Sequence, residues 1–548
     1  MPTVSAHVAL TLAQHIDAVF GVMGNGNAYF LDAIETQTDA VFTAVRHEQG
    51  AVVAADAHFR ASGRIAAGTS TYGAGFTNTL TALAEAVQAH VPLVLVVGDE
   101  PTSGPRPWDV DQIALASAVG ARTYTVGRTD AAATTVIAIE HALTYRVPVV
   151  LAIPYDVASL EAGPVAEAPS PRVPAPLAPK GEFAEGMLDE IAAALSQAER
   201  PFLLAGRGAW LAGASSALGE LAEATGALTA SSALGRGVFP DARYDLGVTG
   251  GFGADGAMEL VRTADVAVVF GASLNQFTMR FGELFAPGTR VFQIDIAPAA
   301  THAHIGGFVR ADARVAAEAL VARVPSRPSL PWREHVDVTA ARAYDAGDDL
   351  AADGRLDPRS AARRIAELLP EDRVVVSDGG HFIGWANMYW PVAAPDRMMM
   401  IGTAFQSIGQ GWPSVVGAAL ARRESTVVLT SGDGGGLMAI ADLESAVRAA
   451  GGRGMAVIWN DAAYGAEVNL YGLKGLAEGP MRIPEVDFAA FGAAVGAEGV
   501  VVRTLGDLDR LASWTAESSD SRRFLLLDLR ISGDVIAPYQ QEIIRVNS

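Results

Sequence analysis

The sequence contains no cysteine. This absence excludes a disulfide framework and every metal site built from thiolates. Basic residues are also scarce, because 40 lysines and arginines face 61 aspartates and glutamates, giving a formal net charge of −21. No run of basic residues interrupts this acidic balance. We therefore expect neither nucleic acid nor an anionic membrane as a partner.

Long apolar runs are absent as well. Runs such as residues 94–97 and 147–153 are far too short to span a bilayer, which requires about 20 apolar residues. The N-terminal stretch has no basic segment before its apolar residues, so it does not resemble a secretion signal. These features predict a cytoplasmic protein that does not contact a membrane.

Half of the 548 residues are apolar, which is enough to build about three domain cores. Two stretches rich in proline or in small and acidic residues, at about 160–182 and 324–357, predict surface connections between domains at 1–160, 183–324 and 358–548. Each domain alternates short Val/Ile/Leu runs with helical periodicity. This pattern predicts an α/β fold of three mostly parallel sheets covered by helices. The first and last domains share strands that end in Gly/Asp turns, which predicts a duplicated unit.

The most informative segment lies between Ser431 and Glu467. A strand-like run stops at Gly432-Asp433-Gly434, a helical pattern with Leu437, Ile440, Leu443 and Val447 on one face follows, and a second strand ends at Asn460-Asp461. The carboxyl ends of parallel strands are where open sheets bind ligands. Glycine-rich turns approach phosphate oxygens closely, and an aspartate with a second oxygen ligand suits Mg²⁺. The segment therefore indicates a phosphate and metal site.

A single acid, Glu48, begins a predicted helix whose other positions are nearly all Ala, Val or Gly. Glutamate in a first helical turn is commonly a solvated residue favoured by the helix dipole. Here the run from Gly50 to Ala55 leaves little polar surface, so we expect the helix to be packed on most sides. The carboxylate would then be partly desolvated, as a proton-handling group requires.

These motifs resemble those of the thiamine diphosphate (ThDP) enzymes. The resemblance rests on Asp433 followed 27 or 28 residues later by Asn460-Asp461, on the Arg46–Gly63 segment around Glu48, on the turn from Gly73 to Asn78, and on the turn at residues 405–413. It extends along the whole chain in the order pyrimidine-binding, middle and diphosphate-binding domain. The family group includes acetolactate synthase, pyruvate decarboxylase, benzoylformate decarboxylase and benzaldehyde lyase. The resemblance implies ThDP and Mg²⁺ as cofactors.

The resemblance also implies roles for individual residues. Glu48 would activate the coenzyme, and Ile408 would be the bulky side chain that keeps the coenzyme bent. The metal ligands would be Asp433 and Asp461 with the Ala463 carbonyl, or Asp433 and Asn460 with the Ala462 carbonyl. The remaining predicted cofactor contacts are Gly73, Asn78, Gly380, His381, Gln406, Gly432, Gly434, Gly435, Tyr464, Gly465 and Ala466.

Four polar residues are candidates for catalysis or substrate choice: Asn25, Gln112, His381 and Glu467. Each also has a structural explanation, respectively a turn former, a helix-cap partner, a buried histidine and a solvated helix residue. The tail around Tyr539 and Gln540 could cover the site. The middle domain binds FAD in some relatives, but its Gly206-Arg207-Gly208 turn is too common a pattern to predict a flavin.

The resemblance implies an enzyme acting on a small carbonyl compound: a 2-keto-acid decarboxylase or carboligase similar to acetolactate synthase. One alternative is a lyase that cleaves 2-hydroxy ketones, as benzaldehyde lyase does. Another is a ThDP-binding regulatory protein without catalysis. Because the family places its coenzyme between subunits, the resemblance also implies a homodimer or homotetramer with active sites at the subunit interfaces.

Overall fold

The computed structural model describes residues 1–165, 167–327, 329–392 and 394–547. The predicted connections at 160–182 and 324–357 each include one position outside this range, Ala166 and Pro328. The described residues form three six-stranded sheets in which all paired neighbouring strands are parallel. The predicted α/β fold with three parallel sheets is confirmed.

The first sheet has the strand order β2-β1-β3-β4-β6-β5. Its strands are β1 (Ala18–Gly21), β2 (Val41–Ala44), β3 (Ala67–Ser70), β4 (Leu93–Asp99), β5 (Arg122–Thr125) and β6 (Pro148–Pro154). Its helices are α1 (Val4–Leu12), α2 (Ala28–Gln37), α3 (Glu48–Ser62), α4 (Ala74–Thr77), α5 (Leu80–Gln88), α6 (Gln112–Ala118) and α7 (Ala131–Tyr145).

The middle sheet has the order β12-β11-β10-β7-β8-β9, a doubly wound arrangement. Its strands are β7 (Pro201–Ala205), β8 (Leu228–Ser231), β9 (Asp245–Val248), β10 (Val266–Phe270), β11 (Arg290–Asp295) and β12 (Ile305–Arg310). Its helices are α8 (Gly181–Gln197), α9 (Arg207–Leu211), α10 (Ser215–Thr225), α11 (Asp255–Arg262) and α12 (Ala313–Val321). The short helices α13 (Pro331–Glu334) and α14 (Val338–Ala341) follow in the connection to the last domain.

The third sheet has the order β14-β13-β15-β16-β18-β17, which repeats the order of the first sheet strand for strand. Its strands are β13 (Arg373–Ser377), β14 (Met398–Met400), β15 (Thr426–Gly432), β16 (Gly454–Asn460), β17 (Glu498–Val502) and β18 (Leu525–Arg530). Its helices are α15 (Pro358–Leu368), α16 (Ile383–Tyr389), α17 (Gly411–Ala421), α18 (Asp433–Met438), α19 (Leu443–Ala450), α20 (Gly465–Glu467), α21 (Phe488–Ala494), α22 (Asp509–Ala516) and α23 (Pro538–Asn547). This shared topology agrees with the duplication that the sequence pattern predicts.

Packing joins the first and last domains into one unit. The central strands β4, β15 and β16 are buried at every position, as parallel strands covered on both faces must be. Helices α3 and α17 lie against each other, and one apolar core contains residues of both domains, among them Val53 and Trp412. The loops at the ends of these elements are therefore held in fixed relative positions.

The amphipathic helix predicted across Leu437–Val447 is interrupted. It is divided into α18 and α19 by a 3-10 turn at Ile440–Asp442, because Ala439 leaves the helical conformation with φ −109°. The Asp442 side chain instead accepts the Arg46 backbone N–H at 2.7 Å. Among the described residues, no helix has both the length and the apolar character needed to cross a membrane.

Candidate active site

A cleft of about 400 Å³ opens at the carboxyl edge of the third sheet. It lies where β13, β15 and β16 end, which is the edge at which parallel sheets bind ligands. The predicted residues that line it are Gly380, His381, Gln406, Ile408, Gly432, Asp433, Gly434, Gly435, Ala463, Tyr464 and Ala466. Glu467 lines it as well. The structure thus brings together most of the predicted cofactor-binding residues of the last domain.

Two buried carboxylates lie at this edge of the sheet: Asp433, which lines the cleft, and Asp461, which does not line it. In the described part of the chain, Asp433 Oδ2 and Asp461 Oδ1 are buried oxygens without a hydrogen-bond partner. Desolvation, and then the charge of Asp461, raise the pKa of Asp433 to about 7. Unpartnered carboxylate oxygens that repel each other are the donor set that a divalent cation stabilises.

The alternative ligand, Asn460, has a different environment. Its amide donates to the Val486 carbonyl at 3.0 Å and to Asp528 at 2.9 Å, although its Oδ1 is also buried without a partner among the described residues. The Ala462 carbonyl that would accompany it already accepts the Ile483 N–H at 2.9 Å. These contacts favour the set of Asp433, Asp461 and the Ala463 carbonyl, whose role as ligands stays a prediction.

His381 lies directly beside this carboxylate pair. Its Nε2 is 2.8 Å from Asp461 Oδ2. Desolvation opposes protonation of the imidazole, but the Asp461 carboxylate outweighs it and raises the pKa of His381. The neighbouring Gly465 leaves room for the imidazole, because a Cβ there would lie 2.4 Å from His381 Nε2 and would displace the ring. His381 therefore orients Asp461, as a partner of a metal ligand does.

The turn that carries Ile408 forms part of the wall of the cleft. Gln406 is in the left-handed conformation with φ +58°, which non-glycine residues rarely adopt. The Ser407 N–H donates to the Gly402 carbonyl at 2.8 Å and closes the turn. The backbone amide of Gln410 binds Asp378 Oδ1, a fully buried carboxylate at the end of β13. Gln406 and Ile408 both face the cleft.

Part of the wall could not be located from local sequence patterns. Leu470, Ile543 and Ile544 line the cleft, and helix α23 also contributes Tyr539 and Gln540. The Tyr539 hydroxyl donates to the His381 carbonyl at 2.5 Å, and the Gln540 amide donates to the Gly465 carbonyl at 3.4 Å. The C-terminal helix therefore covers one side of the site, as the tail was expected to do.

The predicted residues of the N-terminal domain form a second group at the carboxyl edge of the first sheet. Glu48 is half-buried at the start of α3, and the Asn78 amide donates to its Oε2 at 2.9 Å. Gly73 donates its N–H to Gln112 Oε1 at 2.8 Å. The Gln112 amide in turn donates to Gly98 O and Asp99 Oδ1. Gln112 is buried with these bonds made, so it holds the Gly73 turn, and its catalytic role stays a prediction.

Asn25 lies on the same face as this second group. It is exposed and donates to the Tyr72 hydroxyl at 3.0 Å. Tyr72 in turn packs under the guanidinium of Arg106, 4.1 Å from its ring centre. Neither Asn25 nor Glu48 is among the residues that line the cleft of the last domain, all of which belong to residues 379–544. One chain therefore presents the two groups of predicted residues on different domains.

Three parallel α/β domains, with a glycine-rich cleft at the carboxyl edge of the last one, place the chain in a class of cofactor-binding α/β enzymes. Family comparison specifies the class. The descriptions "Thiamine pyrophosphate enzyme, N-terminal TPP binding domain", "central domain" and "C-terminal TPP binding domain" match residues 2–117, 188–320 and 378–529. The chain belongs to the thiamine pyrophosphate enzyme family, which confirms the resemblance stated above.

Individual relatives agree with this assignment. The chain is 28% identical over 449 residues to a probable acetolactate synthase large subunit of Methanocaldococcus jannaschii, covering 78% of this chain and 74% of that protein. It is 27% identical over 579 residues to a sulfoacetaldehyde acetyltransferase of Roseovarius nubinhibens, covering 100% and 94%. Benzoylformate decarboxylase from Polynucleobacter necessarius has the same fold, with a TM-score of 0.81, 20% identity, and coverage of 98% and 99%.

Proposed function

We propose that the chain is a ThDP- and Mg²⁺-dependent enzyme that decarboxylates or joins 2-keto acids, resembling acetolactate synthase. The observation that carries the proposal is the buried pair Asp433 and Asp461, whose oxygens without partners among the described residues lie beside the glycine turn of the cleft. Two carboxylates and a backbone carbonyl suit a cation that also binds a diphosphate. The acetolactate synthase relative supports the type of reaction.

Different residues of this chain would have separate roles in binding the cofactors. Asp433, Asp461 and the Ala463 carbonyl would hold the cation, and Gly434 and Gly435 would lie against the diphosphate. ThDP, when bound, supplies a carbon that forms a bond to the substrate carbonyl and stabilises the negative charge left on it. The protein contributes positions, protons and exclusion of water around that carbon.

Glu48 would hold and release the proton that is transferred when the coenzyme is activated. Its Oε2 accepts the Asn78 amide, which fixes the plane of the carboxylate and leaves Oε1 for the coenzyme. Gln112 would act indirectly, because its side chain holds the Gly73 turn in place. His381 and Glu467 lie where a substrate carbonyl would enter, and Leu470, Ile543 and Ile544 would exclude water there. We infer that these roles are carried out in a homodimer or homotetramer, because the family places its coenzyme between subunits and Glu48 does not line the cleft of its own chain.

A product assay tests the reaction. The purified protein is incubated with ThDP, Mg²⁺ and a panel of pyruvate, benzoylformate, aldehydes and benzoin, and the products and CO2 are measured by mass spectrometry. We expect CO2 from at least one 2-keto acid. Cleavage of benzoin without CO2 from any keto acid would instead support the 2-hydroxy-ketone lyase, and no turnover of any compound would contradict the proposal.

Glu48→Gln tests the proton-handling role. Because a positioned acid–base group contributes about a hundredfold to ten-thousandfold, we expect turnover to fall by at least about a hundredfold. Glu35→Gln is the matched control, since Glu35 is an exposed glutamate on α2. Turnover of Glu48→Gln equal to that of the control would remove Glu48 from the mechanism.

A further inference from the structure

A buried set of charged side chains lies between the N-terminal and C-terminal domains. Asp56 and Arg60 belong to α3 and Glu85 to α5, and their side chains are at most 5% exposed. Arg60 donates to Asp56 at 2.5 Å and to Glu85 Oε1 at 3.4 Å. Buried charges are stable only when they are paired and hydrogen-bonded. The remaining partners of this set therefore show what it holds in place.

Those partners are backbone groups of the C-terminal domain. Glu85 Oε2 accepts the Phe405 N–H at 2.7 Å, and Glu85 Oε1 accepts the Ala404 N–H at 3.4 Å. Arg60 Nη1 donates to the Met400 carbonyl at 2.9 Å. These charged side chains thus hold both ends of the segment that follows β14 by hydrogen bonds. The bonds are made to the backbone, so they do not depend on which side chains the segment carries.

This segment leads directly into the strained part of the cleft wall. Gln406, next to Phe405, has φ +58°, a conformation that a side chain with a Cβ disfavours. Such a conformation persists only where the surroundings impose it. On one side of Gln406 the Ser407–Gly402 hydrogen bond closes the turn. On the other side the restraint is the charged hydrogen bond from Phe405 to Glu85.

We propose that Glu85 is a positioning residue, which binds the Phe405 amide, holds Gln406 in the left-handed conformation and so places Gln406 and Ile408 in the wall of the cleft. Glu85 itself does not line the cleft. The inference rests on the proposed function, because that wall is where the coenzyme would lie. The N-terminal domain would thus shape the binding cleft of its own chain.

Hydrogen exchange of the full chain without coenzyme tests directly whether Glu85 holds this segment. In Glu85→Gln, which is isosteric but uncharged, we expect the Phe405 and Ser407 amides to exchange at least about tenfold faster than in the wild type. Asp357→Asn is the control, because Asp357 is also fully buried and caps α15, and its carboxylate binds the Asp348 and Arg359 amides instead of this turn. Wild-type exchange at Phe405 in Glu85→Gln would overturn the proposal.

Coenzyme affinity is the second readout. With Mg²⁺ in excess, titration of ThDP followed by tryptophan fluorescence should give a dissociation constant about tenfold higher for Glu85→Gln, the loss typical of one charge-assisted hydrogen bond. Asp357→Asn should lower the melting temperature without changing this constant. If the two variants bind ThDP equally well at equal stability, Glu85 has no positioning role.

Gln406→Gly distinguishes positioning from general destabilisation. Glycine adopts positive φ without steric penalty, so the turn needs less restraint in this background. We expect the loss of ThDP affinity caused by Glu85→Gln to be at least about threefold smaller in the Gln406→Gly background. Equal losses in the two backgrounds overturn the proposal.

A second variant tests the proposal in case Glu85→Gln does not fold. Glu85→Asp keeps the charge beside Arg60 but shortens the reach, so exchange should rise at Phe405 while the ion pair is retained. No change at Phe405 in that variant counts against the proposal. The exchange readout needs no coenzyme. A wild-type protein that binds no ThDP would therefore refute the proposed function, while the Phe405 amide still reports on Glu85.

Discussion

At the scale of single residues, Asn460 and Asp461 are chain neighbours whose side chains bind different partners. Asn460 uses its amide to join Val486 and Asp528, so it belongs to the scaffold under the cleft. Asp461 has one oxygen on His381 and one buried oxygen without a partner among the described residues. Substitutions of the two residues should therefore affect different properties of the protein.

We predict that Asp461→Ala weakens Mg²⁺ binding at least about a hundredfold, since even groups one step removed from a metal contribute ten- to a hundredfold. Asn460→Ala should instead lower the free energy of unfolding by about 1–3 kcal/mol, because it leaves buried partners unsatisfied. Magnesium titration of ThDP binding and urea denaturation measure the two effects. The reverse pattern would show that Asn460 is the ligand.

Sequence alone could place this site but could not complete it. Asp433 and Asp461 follow buried strands, and parallel strands end at one edge, so their proximity was predictable. The choice between Asn460 and Asp461 depends on Asp528 and Ile483, which are distant in sequence. The buried position of Gln112 likewise depends on Gly98 and Asp99, which meet it only in the folded chain.

At the scale of elements, the packing of α3 on α17 connects the acid-bearing helix to the domain that contains the cleft. Gly417 lies in this contact, and a Cβ there would be 2.0 Å from the Ala54 carbonyl oxygen and 2.9 Å from the His58 nitrogen. Both atoms belong to helical backbone and cannot move aside as a side chain could. The contact therefore tolerates only glycine.

We predict that Gly417→Ala lowers the free energy of unfolding by about 3 kcal/mol, the upper part of the range for overpacking. Gly186→Ala is the matched control, because Gly186 lies in helix α8 with no atom near its missing Cβ. That control should gain up to about 1 kcal/mol from helix propensity. Urea denaturation measures both changes, and a Gly417→Ala variant within about 0.5 kcal/mol of the wild type would contradict the packing argument.

Elements were predictable where periodicity is strong and less so where tertiary contacts decide. The strands at 426–432 and 454–460 and the start of α3 at Glu48 follow the sequence pattern closely. The helix predicted across Leu437–Val447 is interrupted at Ala439, and in the 3-10 turn that follows Asp442 accepts the Arg46 N–H, a contact between domains. The position of Ile543 and Ile544 at the cleft also has no local signal, since it arises from the docking of α23.

At the scale of the whole molecule, two domains of identical strand order carry complementary halves of the predicted site. Glu48 and Asn78 lie at the carboxyl edge of the first sheet, while the cleft lies at the corresponding edge of the third. If the site forms between two chains, Glu48 of one chain must serve the Asp461 of the other. Two chains that are inactive because of different substitutions could then form one intact active site together.

We predict that co-expressed Glu48→Gln and Asp461→Ala chains complement each other. In a mixed dimer one site carries both defects and the other carries none. Random pairing makes half of the dimers mixed, with one good site of two, so turnover of the unfractionated mixture should reach about a quarter of the wild-type value. The mixed species is isolated with a different affinity tag on each chain and should reach about half of the wild-type value, because every dimer then carries one good site. Each variant alone is the control. If each site formed within a single chain, every site in the mixture would keep one defect. Turnover of the mixed species no higher than that of the single variants would therefore contradict a site shared between subunits.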